Sequence, residues 1–168
     1  MLASLLALSS VLIGCPTGSD DGGGSINFNG EYWEDGYSAS LGTNSCKATL
    51  DLNAKTLTVT QEGTASSYTP FTLNDVTISE TTDVSWGSSM RHDVTWAYVY
   101  NGSNKVGYVY RWTMTTSNGY IAEISYGLHI GSQNIGGSGP TYYAAQGNPN
   151  LDLTDVVTTN KFSGDKEE

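Results

Sequence analysis

The chain has 168 residues, with 17 acidic side chains against 7 basic ones and a net charge of −10. That balance excludes the basic footprint that nucleic-acid binding requires, and an anionic membrane surface would repel the chain. The length and a hydrophobic share of 38% suit one domain with an ordinary core.

The first element is an uncharged apolar run, Leu2 to Ile13. It is shorter than the roughly 20 residues of a transmembrane helix and fits the apolar region of a signal peptide. The run ends in Leu12-Ile13-Gly14-Cys15, which resembles the lipobox of bacterial lipoproteins. The resemblance implies diacylglycerol on the Cys15 sulfur, cleavage after Gly14 and acylation of the new amino terminus, making residues 1–14 a signal peptide. Met1 to Ser4 carry no Lys or Arg, which leads us to expect a translation start further upstream. Residues 15–25, rich in Gly, Ser and Asp, read as a lipidated cysteine followed by a flexible tether. Two or more acyl chains anchor stably where one does not, so the lipid can hold an acidic chain without electrostatic help. The expected partner is therefore the membrane, through the covalent lipid. The expected place is the bacterial cell envelope, at the outer membrane or cell surface rather than the inner membrane.

Residues 26–162 read as a single antiparallel β domain, with 163–168 as a polar tail. The segment Asn29-Gly30-Glu31-Tyr32-Trp33 leads into the first strand. It resembles the Gly-x-Trp opening of lipocalins and related calycin barrels, with Tyr32 at the tryptophan position and Trp33 displaced by one. The resemblance implies an eight-stranded barrel around a small-molecule cavity. In the next strand Cys46, Ala48, Leu50 and Leu52 alternate with Lys47, Thr49 and Asp51, which puts the Cys46 thiol on an apolar face as a small hydrophobe. With Cys15 acylated, Cys46 has no intramolecular disulfide partner. Residues 46–52 and 56–61 form a hairpin about Asn53-Ala54-Lys55. Phe71 and Leu73 keep one parity and Val76 and Ile78 the other, so a bulge or bend near Asn74-Asp75 should send the strand to another direction or sheet.

The clearest pattern runs from Val94 to Ile130, where large residues hold the even positions: Val94, Trp96, Tyr98, Tyr100, then Val106, Tyr108, Tyr110, Trp112, Met114, then Tyr120 to Ile130. A three-residue loop, Ser117-Asn118-Gly119 with Gly in the left-handed region, pairs Thr116 with Tyr120 and keeps even opposite even. It predicts Trp112 opposite Ile124 and Tyr110 opposite Tyr126. The analogous loop Asn101 to Ser103 predicts Trp96 opposite Tyr108. Three strands then share one aromatic face. The odd positions are polar, and the register puts Arg111 between Asp93 and Ser125 with Glu123 diagonal, an ordinary exposed ion-pair cluster. A glycoside-acting enzyme would instead use Asp93 and Glu123 as its two carboxylates. His92 and His129 stand apart, with no clustered ligands for a metal. Gly136-Gly137-Ser138-Gly139 lacks the Lys of a phosphate loop. The closing segment, Asn150 to Phe162, is compatible with a last strand or a short helix.

The expected fold is all-β, an antiparallel up-and-down β-barrel of lipocalin type, with a two-layer β-sandwich as the alternative. The expected function is that of a membrane-anchored lipoprotein whose non-catalytic domain binds a small apolar or sugar ligand on an aromatic face made of Trp96, Tyr98, Tyr108, Tyr110 and Tyr126. The alternatives are a structural, surface-coating lipoprotein with no small ligand, and the glycoside-acting enzyme. A monomer is expected, with no cofactor, metal or nucleic-acid partner.

Overall fold

The computed structural model describes residues 26–34, 46–62, 68–131 and 153–166. The signal peptide, Cys15 and the tether lie outside these residues. The described chain is all-β. Its strands are β1 (Gly30–Glu34), β2 (Cys46–Asp51), β3 (Thr56–Gln61), β4 (Phe71–Asn74), β5 (Val76–Ile78), β6 (Thr82–Trp86), β7 (Met90–Asn101), β8 (Asn104–Thr116), β9 (Ile121–Ile130) and β10 (Phe162–Lys166). Every pairing among them is antiparallel.

The strand order β4-β3-β2-β1-β10-β9-β8-β7-β5 is that of a meander bent round on itself. Its two ends, β4 and β5, are neighbours in the chain, separated by Asp75 alone. Asp75 has φ +62°, an uncommon conformation for a residue with a side chain. There the strand leaves β3 and joins β7, and the Asp75 carbonyl accepts from the Gly102 amide at 3.0 Å. The expected bend at Asn74-Asp75 is thus what brings the sheet to near closure as a barrel, and nearly removes its open edges. β6 continues along β7 beyond β5.

The barrel interior is one apolar cluster to which every barrel strand contributes. It includes Tyr32, Cys46, Leu50, Val59, Leu73, Val76, Val99, Val109, Leu128 and Phe162, all buried. Cys46 is on the apolar face, as its alternation indicates. Tyr32, at the tryptophan position of the calycin-like opening, is fully buried, and its hydroxyl donates to the Phe28 carbonyl at 2.6 Å. Burial, with Tyr126 adding to it, holds that hydroxyl well above the ordinary tyrosine value. Trp33 points the other way, towards Lys47.

The last strand lies where a polar tail is expected from the sequence. β10 runs through residues 162–166 and pairs with both β1 and β9. Its sequence is short and polar, and Phe162 is its one large apolar side chain. Ser163 and Gly164 are nevertheless buried, and a Cβ at Gly164 would fall 2.2 Å from the Trp33 carbonyl oxygen. Close backbone approach, not side-chain pattern, holds this strand.

Candidate functional site: an outer aromatic wall

The even-position aromatics of β7 and β8 are outside the barrel. Ala97, Val99 and Val109, at odd positions, belong to the interior cluster, whereas Val94, Trp96, Tyr108, Tyr110 and Trp112 form a second buried cluster on the other face of the sheet. Val84, Trp86, Tyr98, Met114 and Leu153 pack against it. Both faces of these long strands are therefore covered, which explains why β8 reads as almost continuously buried from Val106 to Tyr110.

The register differs from the one expected. The β7–β8 turn is two residues, with Asn101 opposite Asn104, and a bulge follows in β8, where Val106 is unpaired opposite the Val99–Tyr100 step of β7. Trp96 therefore faces Tyr110, not Tyr108, and Tyr98 faces Tyr108. The parity survives because the turn and the bulge each shift the ladder by one. At the β8–β9 end the three-residue loop forms as expected: Gly119 has φ +80° and the Thr116 amide donates to the Tyr120 carbonyl at 2.8 Å. A second irregularity then leaves Ala122 without a partner between Thr115↔Ile121 and Met114↔Glu123. This one is uncompensated and reverses the parity of β9. Trp112 faces Ser125, not Ile124, and Tyr110 faces Gly127, not Tyr126.

The reversal sorts the expected ligand residues. Trp96, Tyr98, Tyr108 and Tyr110 share the outer wall, while Tyr126 is turned to the inner face, where it meets Phe28 edge-on at 6.4 Å. Two histidines that the sequence leaves without a role take places in the wall instead. His92 stacks between Trp86 and Trp112, with ring centroids 5.1 and 5.6 Å away. His129 stacks on Tyr108 at 4.8 Å and on Tyr110 at 5.9 Å, and its Nδ1 shares a hydrogen bond of 2.9 Å with Ser163 Oγ. The Tyr110 ring lies across Gly127, where a Cβ would come within 2.2 Å of it, and its hydroxyl donates to Asp165 at 3.3 Å. Gly127→Ala is expected to displace this ring and cost about 1–3 kcal/mol, the usual cost of overpacking, measured by urea unfolding.

One edge of the wall is held by the segment before β10. Lys105 Nζ donates to Asp155 at 2.6 Å and lies 4.1 Å from the centre of the Tyr98 ring, and the Val157 amide donates to the Lys105 carbonyl at 2.8 Å. Burial lowers the Lys105 pKa, but the Asp155 hydrogen bond and the surrounding Tyr98, Asp155 and Tyr100 outweigh it and raise the ammonium above its ordinary value. Inside the wall, Trp96 is 4% and Trp112 7% exposed, and the indole Nε1 of each is buried with no hydrogen-bond partner among the described residues. The buried Ser125 Oγ, directly opposite Trp112, is in the same state.

On the inner face the ion pair joins Arg91 to Asp93 at 2.8 Å; Arg111 lies opposite Thr95 and Tyr126 and takes no part in it. Glu123 faces Met114 on the outer side, so Asp93 and Glu123 do not form a carboxylate pair. Among the described residues no His, Cys, Asp and Glu group is placed to hold a metal ion, and no helix is long and apolar enough to cross a membrane. No protein-family model, curated protein or solved structure matches the chain.

Proposed function

We propose that the protein is a lipid-anchored component of the bacterial cell envelope whose barrel is a non-catalytic binding module, taking a sugar-class ligand at the outer aromatic wall. The observation that carries the ligand class is the pair of indole donors on Trp96 and Trp112, buried without an acceptor among the described residues. A buried donor left unmet costs about 1–3 kcal/mol. A ligand that parts the side chains over the two indoles can offer sugar hydroxyls as acceptors, whereas an apolar ligand leaves both donors unmet, which favours the saccharide over the apolar molecule. Trp86 and Tyr98, half-buried at the rim of the wall, are the rings placed to meet the CH faces of a pyranose, with His92 stacked behind Trp86 as its support. The lipid anchor is supported by the Leu12-Ile13-Gly14-Cys15 sequence and by a net charge of −10 that leaves electrostatics unable to replace it.

Calorimetric titration of the full chain with a panel of neutral oligosaccharides, and separately with a fluorescent apolar dye, tests the ligand class. Trp96→Phe and Trp112→Phe keep an aromatic ring and delete the N–H, so each is expected to weaken sugar binding about tenfold, the equivalent of one hydrogen bond. Binding of the dye with failure of every sugar would contradict the assignment. For the anchor, Cys15→Ala is expected to abolish incorporation of a labelled fatty acid and release the protein from membranes; label retained in the variant contradicts it.

A further inference from the structure

Beyond the apolar core, on the inner face of the sheet, Thr95, Arg111, Tyr126 and Lys166 are successive ladder partners across β7, β8, β9 and β10. Arg111 and Lys166 flank Tyr126, two strand spacings or about 10 Å apart at the backbone. All three are half-buried. The chain has 17 acidic residues for 7 basic ones, and Lys47, Lys55, Arg91 and Lys105 each have a carboxylate at ion-pair distance. Among the described residues, Arg111, Lys161 and Lys166 have none, and of these Lys161 is exposed while Arg111 and Lys166 are half-buried. Lys166 Nζ donates to the Asn29 carbonyl at 3.0 Å and lies 4.8 Å from the centre of the Tyr126 ring. Asp93, diagonal to Arg111 in the ladder, is already engaged by Arg91 Nε and Ser85 Oγ, and Asp83 accepts from Thr95. A guanidinium presents its donors in a planar fork that matches the oxygens of a carboxylate or phosphate, and it loses hydration here without gaining such a partner among the described residues. Phe28 meets Tyr126 edge-on and fixes the ring between the two cations.

We propose that this row is an anion site, in which a carboxylate or phosphate group of a small ligand bridges Arg111 and Lys166 over the Tyr126 ring. Arg111 supplies the bidentate contact and Lys166 a point charge. The site is on the opposite face of the sheet from the aromatic wall and stands independently of the sugar assignment. Titrating the full chain with inorganic phosphate and with acetate, followed by the NMR signals of the Arg111 side chain and the Tyr126 amide, tests it. Saturable shifts are expected with at least one anion, and the tighter of the two identifies the ligand group. Arg111→Met should weaken binding at least tenfold and Lys166→Met several-fold, while Lys47→Met, which removes a cation paired with Glu31 beside Trp33 and away from this row, should leave it unchanged. Should Arg111→Met disturb the fold, Arg111→Lys keeps the charge and loses the fork, and is expected to weaken binding several-fold. No saturable shift with either anion, or binding that the Arg111 variants retain in full, overturns the proposal.

Discussion

Tyr32→Ala is expected to destabilise the barrel by about 3–5 kcal/mol, the range for truncating a large aromatic in a packed core. Tyr32 is fully buried, on the first strand of the nearly closed sheet, and packs in the interior cluster with Phe28, Ala48 and Phe162. Tyr32→Phe separates packing from polarity. It keeps the ring, removes the hydrogen bond to the Phe28 carbonyl and should cost about 1 kcal/mol. The two variants also differ from wild type in alkali. Tyr32 keeps its proton in the folded state above its ordinary value of 10.0, whereas the unfolded chain loses it there. Its contribution is therefore fully present below about pH 10 and falls as the pH rises further, because ionisation then favours the unfolded chain. Tyr32→Phe should remove this part of the alkaline decline, while the part due to Lys105, which has the same sign, remains. Urea unfolding between neutral pH and pH 11 measures both.

The second large effect is at Trp112. Trp112→Ala is expected to cost about 3–5 kcal/mol, since the ring is 7% exposed and stacks on His92. Tyr126→Ala, at a half-buried position, should cost about 1–2 kcal/mol. The double variant carries the sharper information. Residues in contact on one face couple by about 0.5–3 kcal/mol, whereas residues without shared partners add. Trp112 belongs to the outer cluster and Tyr126 packs against the inner one, so their costs should sum. A coupling of 1 kcal/mol or more would put them on one face, as uniform even-position alternation implies.

How far the fold can be read from the sequence follows from what each feature depends on. The hairpin at 53–55, the bend at Asp75 and the loop ending in Gly119 are local: turn residues and a parity change mark them in the chain itself. The barrel is legible because strands that follow one another in a meander pair with one another. The faces are another matter. Alternation tells which residues lie together, not which side is inside, and in β7 and β8 both sets are apolar enough to be buried. The large aromatics of Trp96, Tyr110 and Trp112 draw attention to the even set, yet the barrel interior took the smaller Ala97, Val99 and Val109, which suit a confined space. The irregularity at Ala122 carries no compositional mark, and a single unpaired residue there moved Tyr126 to one face and His129 to the other. β10 is hidden in the sequence for a related reason: Ser163 and Gly164 are selected by close approach to neighbouring backbone and to His129, and neither has a strand-forming side chain.

The sugar assignment rests on two N–H groups, and proton NMR observes them individually. The chain has four tryptophans and so four indole N–H signals. Titration with the tightest-binding oligosaccharide should move the Trp96 and Trp112 signals downfield as each gains an acceptor, shift Trp86 at the rim through ring contact, and leave Trp33, three strands from Tyr110 and beside Lys47, in place. Signals of Trp96 and Trp112 that stay fixed while the ligand saturates the protein would contradict the assignment of the outer wall as its binding face.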